Sequence, residues 1–372
     1  MVSPARGPVL NFGAMKVGIL TTSWPSEARP WAGHFVRDQA IALARLGVDI
    51  TIVTPAWSGH GDLVESAGLA LVAPRVLGAP GSLARSPGSG LRALHALRRA
   101  TRTVEAEHWL AHWWPTRWAL GNGRSSTAVL HGSDVDWLAR LPRAVRHRIG
   151  RDMDAVAVAQ SVARRFACVA GVPTPPVVAM GAHRAEEPGP VPEVARAWLA
   201  SDAPRILTVG REAPGKGWST MRAAAALLPD IAWLGLTPRD GVGPSGVRRL
   251  IAEAHLVVVP SQKGPGLPSE GLPHVITQAM VAGTPVVGGP CPAVQEALAS
   301  LGQPVVRSPG AEALADAVRD ALEAGRQDGF KDRAREAGEC LHWPNLAPRW
   351  LDVLKEGRTP RDHRRTTETP SC

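Results

Sequence analysis

The chain has 372 residues, 44% apolar and 20% charged, with a net charge of +9 at neutral pH. That length exceeds one ordinary core, so two packed domains are expected, and the composition excludes a disordered or collagen-like chain. The positive excess comes from arginine, the lysines being Lys16, Lys216, Lys263, Lys331 and Lys355; such a field draws phosphate, anionic lipid or nucleic acid without choosing among them.

Residues 1–14 carry no pattern and read as a disordered extension ahead of Met15. Residues 16–20 read as a buried strand, residues 23–33 as a Pro/Gly-rich loop, 35–46 as an amphipathic helix closed by Gly47, and 49–53 as a second strand. Strand, loop, helix and strand at this spacing make one βαβ unit. Apolar runs at 128–130 and 155–159 extend it into a parallel sheet covered on both faces. The stretch 182–204, with EEPGPVPE inside it, is the best linker. The alternation then restarts with strand 205–209, a helix near 218–228, strands 231–236 and 255–259, a helix from Gly271, and strand 284–287. The fold class is therefore α/β, with two Rossmann-like doubly wound parallel-sheet domains and a cleft between them. The domains are placed at 15–190 and 200–342, followed by a crossover helix at 343–357 and a disordered tail at 358–372. Ligands of such folds bind beyond the carboxyl ends of the strands.

Cys168, Cys291, Cys340 and Cys372 are scattered, without a CxxC pair or a histidine at ligand spacing, so neither zinc nor a disulfide framework is expected. No apolar run reaches the roughly 18 residues of a membrane span, and no signal peptide is recognisable. A reduced cytoplasmic protein is the simplest reading.

Two segments carry chemistry. In ILTVGREAPGKGWSTM, Arg211 and Lys216 occupy a loop between strand and helix. A guanidinium grips phosphate through paired donors and an ammonium adds a point charge, so together they suit a diphosphate. The same letters approach a Walker A loop, but Gly217 stands where a hydroxyl would ligate magnesium, and no Walker B strand follows. GVGPSG at 241–246 has dinucleotide-binding glycine spacing but contains Pro244 and reads as loop. In SEGLPHVITQAM, Glu270 precedes Gly271 and Leu272, whose amides at a helix start would carry partial positive charge for a phosphate, while the carboxylate accepts from sugar hydroxyls. An acidic residue there is otherwise a helix cap.

The motifs VGREAPGKG and PSQKGPGLPSEGLPHVITQAMVAGTPVV, together with TTSWPSEARPWAGHFVRDQAIALARLGVDITIVTP, LHGSDV and HWPNLAPRWLDVL, resemble retaining glycosyltransferases of the GT-B fold, in the group numbered family 4. The resemblance runs from Met15 to about Leu354. It implies that Arg211 and Lys216 bind the donor diphosphate, that Glu270 meets hydroxyls of the transferred sugar, and that Gly33 lies against phosphates or sugar from the other domain. His131 would face the sugar near its anomeric centre; a satisfied core histidine is the alternative. The family's second glutamate, which holds ribose hydroxyls, falls here on Gln278. Asp134 and Asp136 spell a DxD in the wrong domain for the donor, and a GT-B enzyme uses cations and helix amides in place of a metal, so no metal site is expected. The implied partners are a nucleotide-sugar co-substrate and a hydroxyl acceptor, with no further cofactor and no nucleic acid.

Trp109, Trp113, Trp114 and Trp118 surround His112 and read either as core or as an acceptor-stacking surface. The basic stretches 91–102 and 139–151 read as a solvated face or as a contact for anionic lipid at the inner membrane face. Alternative functions on the same fold are a nucleotide-sugar epimerase or hydrolase and, because of Gln278, a catalytically weakened partner subunit.

Overall fold

Short β-branched runs closed by Gly/Pro loops alternate with amphipathic helices along the chain, and that pattern sets the architecture. The computed structural model describes residues 15–58, 60–66, 68–77, 87–184, 191–264, 271–306, 308–325 and 330–357. Glu270, the extension 1–14, the tail 358–372 and linker positions 185–190 lie outside them.

The first half runs β1 (Lys16–Leu20), α1 (His34–Arg45), β2 (Asp49–Val53), β3 (Ala56–Trp57), β4 (Ala70–Val72), β5 (Arg75–Val76), α2 (Pro87–Thr101) and β6 (His108–His112). It continues with β7 (Ser126–Leu130), α3 (Ser133–Ala139), α4 (Arg143–Arg151), β8 (Asp154–Ala157) and α5 (Gln160–Ala170). Six strands form one sheet in the order β4-β2-β1-β6-β7-β8, all parallel. The winding reverses between β1 and β6, so the loop after β1 opens at a topological switch point.

The second half contains α6 (Arg196–Leu199), β9 (Arg205–Val209), α7 (Trp218–Ala226), β10 (Ala232–Leu236), α8 (Pro244–Glu253), β11 (Leu256–Val259) and α9 (His274–Ala282). After these come β12 (Val286–Gly288), α10 (Pro292–Ser300), α11 (Ala311–Ala324), α12 (Phe330–Gly338) and α13 (Trp343–Glu356). Its sheet has the order β10-β9-β11-β12, again parallel, with the reversal between β9 and β11.

Two sequence expectations are corrected here. The helix read from Gly271 begins at His274, with Pro273 as an extended N-cap at φ −61°, ψ 121°. Pro273 biases the residue before it out of the helical region, which keeps Gly271 and Leu272 outside the first turn. The GVGPSG stretch is only half loop: Pro244 opens α8 behind the extended Gly243. A proline in the first helical turn lacks only an amide that would have no intrahelical partner there.

Helix α1 starts at Gly33, whose φ of 63° is left-handed, and buries Val36, Ala40 and Leu43 on one face. Against that face lies α13, which leaves the second domain and returns to the first, burying Trp343, Leu346, Ala347, Trp350 and Leu354 in the same cluster as α1 and β1. The spacing of those residues is one helical stripe. Trp350 is fully buried and its indole N–H donates to the Ala179 carbonyl at 2.9 Å. This helix is the strap that holds the second domain to the first.

Replacing Trp350 by alanine removes a buried ring and orphans a carbonyl. We expect a loss of about 3–5 kcal/mol of unfolding free energy in urea titrations. A loss below about 1 kcal/mol would mean that α13 is a loose appendage.

Candidate functional site

The loops following β9, β10 and β11 converge with the loop after β1 on one cavity of about 330 Å³, lined from both domains. It lies at the carboxyl ends of the strands, beside the reversal in each sheet, where an α/β fold leaves its crevice.

Arg211 and Lys216 both line this cavity. Their loop is held by its backbone: the Trp218 indole donates to the Arg211 carbonyl at 2.9 Å, and the Gln262 amide donates to the Gly215 carbonyl at 2.8 Å. Gly217 ends it in the left-handed region at φ 69°, with the Pro260 carbonyl only 1.9 Å from where a Cβ would stand. Only glycine lets the loop press against the end of β11 in this way. Two cations therefore sit on a fixed frame.

Opposite them Pro273, His274, Val275 and Gln278 line the same cavity at the start of α9. The free amides that the sequence placed at Gly271 and Leu272 belong instead to the first turn of α9, at His274 and Val275. Gln278 is 8% exposed. Behind it a second cavity, of about 380 Å³, is flanked by Arg184, Arg248 and Arg335.

Leu272 packs against the core of the first domain, and Gly271 abuts His131: a Cβ on Gly271 would stand 2.2 Å from the His131 carbonyl oxygen. Gly271 and His131 thus touch across the cleft, but neither is among the residues lining the cavity that holds Arg211, Lys216 and Gln278. From the first domain Trp31, His34 and Phe35 line the cavity, whereas Gly33 is buried beneath them against the Ser23 carbonyl.

His131 belongs to a buried chain. His112 Nε2 lies 2.8 Å from Gln39 Oε1, and His112 Nδ1 lies 3.0 Å from His131 Nε2. Because the amide oxygen only accepts, His112 carries its hydrogen on Nε2, His131 donates from Nε2, and His131 Nδ1 keeps its lone pair. Burial pushes His131 down to about 4, so at neutral pH it is an uncharged ring with Nδ1 able to accept a hydrogen bond.

The DxD carboxylates are engaged elsewhere. Asp134 Oδ1 accepts from the amides of His131 at 3.0 Å, Gly132 at 2.8 Å and Val135 at 3.0 Å, which fixes the loop that carries His131. Asp136 pairs with Arg165. No group of three or more potential metal ligands occurs among the described residues. Of the tryptophans, Trp109 and Trp114 are core while Trp118 is 48% exposed.

Sequence reasoning missed Arg29, Trp31, His34 and His274. The Arg29 guanidinium stacks on the Trp31 ring at 4.6 Å, and its acidity is raised by burial and by the nearby Arg211 charge. Two guanidinium groups that destabilise one another are relieved by an anion. The available signal was the density of aromatic and basic residues between Pro30 and Arg37 in a loop already read as part of a ligand crevice.

Comparison with known proteins places the geometry. Residues 191–324, which include Arg211, Lys216 and Gln278, match the family model described as glycosyl transferases group 1. No curated protein sequence matches the chain significantly. Among solved structures, the chain is similar to sucrose-phosphate synthase from Thermosynechococcus elongatus, at TM-score 0.70 and 18% identity over 92% of this chain and 98% of that one. HepE of Anabaena in complex with UDP-glucose aligns at TM-score 0.65 and 13% identity, over 92% of this chain and 100% of that one. An E. coli structure titled trehalose-6-phosphate, bound with UDP-2-fluoro glucose, aligns at TM-score 0.68 and 11% identity over 92% and 99% of the two chains.

The buried imidazoles make stability depend on pH. Burial lowers His108 and His131 to about 4 and, with His34 as a second cause, His274 to about 3, against an ordinary value of 6.5. A lowered histidine stabilises fully above its unfolded value and loses that contribution as pH falls below it, by about 1.4 kcal/mol per unit per group. Asp134, raised by burial to about 6, has the opposite sign and is one group against three. Urea titrations should therefore show stability falling between pH 7 and pH 5, on the order of 5 kcal/mol. A flat profile over that range would contradict the buried neutral network. By fold the chain is a GT-B protein, and its second domain carries the group 1 glycosyltransferase match.

Proposed function

We propose that this protein is a retaining glycosyltransferase that moves a hexose from a nucleoside diphosphate sugar to a hydroxyl acceptor in cell-envelope or natural-product synthesis. The observation that carries this reading is the convergence of Arg211, Lys216 and the first turn of α9 on one interdomain cavity. The family match over the same residues supports it. A structural relative solved with UDP-glucose supports a uridine donor, with UDP-glucose or UDP-N-acetylglucosamine as the first to test.

In this reading the bond between the anomeric carbon and the diphosphate oxygen breaks, charge gathers on the leaving diphosphate, and Arg211, Lys216 and the α9 amides meet it without a metal. Cations held in place before the reaction stabilise such charge without reorganising. The acceptor hydroxyl attacks the same face of the sugar and its proton passes to the departing phosphate oxygen. Glu270, following the family resemblance, holds sugar hydroxyls. Neutral His131 accepts from a sugar hydroxyl through its bare Nδ1, with no charge of its own to oppose the developing oxocarbenium ion. Gln278 offers an amide to the ribose.

The arginines of α4 (Arg143, Arg148 and Arg151) and of α2 (Arg92, Arg98 and Arg99) lie exposed, as do Leu91 of α2 at 67% and Val145 of α4 at 45%. We infer that these basic helices contact anionic lipid at the inner membrane surface, where long basic side chains and small apolar groups suit the headgroup layer.

A panel of UDP-, GDP-, ADP- and dTDP-sugars tests the reading by thermal shift; a true donor at a hundred times its Kd adds about 2.7 kcal/mol of stability. With that donor, Arg211→Ala and Lys216→Ala should each lower kcat/KM by about 100-fold or more. Losses below about threefold in both would overturn the assignment of the diphosphate pocket. Rapid donor consumption without any acceptor would instead indicate a hydrolase.

A further inference from the structure

His34 at the start of α1 and His274 at the start of α9 meet across the cleft, and both line the candidate donor cavity. His34 Nε2 lies 2.9 Å from His274 Nδ1. The remaining nitrogen of each ring faces a backbone carbonyl: His34 Nδ1 is 2.9 Å from Trp31 O, and His274 Nε2 is 2.9 Å from Gly181 O.

The number of hydrogens follows from these contacts. A carbonyl only accepts, so each outer nitrogen must carry a hydrogen for its contact to be a bond. Two neutral imidazoles hold two hydrogens, and both are then committed to the carbonyls. The inner nitrogens are left with lone pairs directed at one another at 2.9 Å. Turning either tautomer repairs the inner contact only by setting a carbonyl against a lone pair. One additional proton, held between the rings, satisfies every contact at once.

The free protein opposes that proton. Burial, Arg37 on α1, Arg248 on α8 and His183 all disfavour a positive charge here, with Asp38 of α1 acting the other way for His34. What would reverse the balance is negative charge in the cavity that also holds Arg211 and Lys216. Resting on the donor reading above, we propose that binding of a nucleoside diphosphate sugar loads one proton onto the His34–His274 pair. That proton completes a hydrogen-bonded chain from Trp31 O through both rings to Gly181 O and ties the two domains together over the ligand. The pair adds a cation to the site only when there is an anion to meet it, and acts as a positioning element for the donor.

The sign of the pH dependence follows. A group that binds its proton more tightly in the complex than in the free protein takes up protons on binding, and affinity then rises as pH falls. Sugar diphosphates are fully ionised diesters at these pH values, so the ligand contributes no titration of its own.

Calorimetric titrations with UDP-glucose, GDP-mannose, ADP-glucose and dTDP-glucose at pH 6, in buffers of low and high ionisation enthalpy, test the proposal. The binding sugar should take up roughly half a proton or more at pH 6, falling towards zero by pH 8. His34→Gln and His274→Gln should abolish the uptake and weaken binding about tenfold at pH 6 but within about twofold at pH 8, a difference that a purely structural role would not produce. Binding with buffer-independent heat in the wild-type protein overturns the proton-linked pair and leaves the transferase reading standing. Absence of binding by all four sugars overturns that reading and the inference with it.

Discussion

The approach of the two domains is limited where Gly271 of the second domain lies against the carbonyl of His131 in the first. With a Cβ only 2.2 Å from that oxygen, any other residue would force the domains apart. The cavity exists because this seam is narrow: the cations of the β9 loop, the first turn of α9 and the aromatic loop before α1 line a common space only while it stays closed. Helix α13 maintains the arrangement from the far side, its tryptophans seated in the first domain's core.

Electrostatics then divides the labour. The first domain contributes neutral polar groups, His112 and His131, whose hydrogens are assigned by Gln39 and whose loop is pinned by Asp134. The second contributes fixed positive charge through Arg211 and Lys216, with the first turn of α9 lining the same cavity. Burial keeps His131 uncharged, so in the proposed transfer it would not oppose a sugar cation, while the cationic loop would meet the leaving diphosphate.

Much of this was legible in the sequence for a physical reason. Strands β1, β2 and β9 coincide with the expected runs because their residues are apolar or β-branched and end at glycine or a turn. Strand β6 was not foreseen, since His108 and His112 sit at its ends; the fold satisfies both rings internally, His108 through Ser125 at 2.7 Å and Thr127 at 3.0 Å. The start of α9 is hidden in the sequence because the apolar pattern runs on ahead of Pro273, while the helix itself begins only after that residue. Arg211, Lys216 and Gln278 were findable from strand–loop–helix context and family spacing. The His34–His274 contact was not, because the two residues are 240 positions apart and only the closed cleft pairs them.

On the reading proposed above, both domains would serve one task, holding a diphosphate in the cavity lined by the cationic loop and the start of α9. A crystal structure of the protein soaked with a nucleotide sugar that stabilises it tests this most directly. The account predicts the pyrophosphate within hydrogen-bonding distance of the Arg211 guanidinium, the Lys216 ammonium and the first amides of α9. A donor bound with its phosphates outside that cavity, or held by the first domain alone, would contradict it.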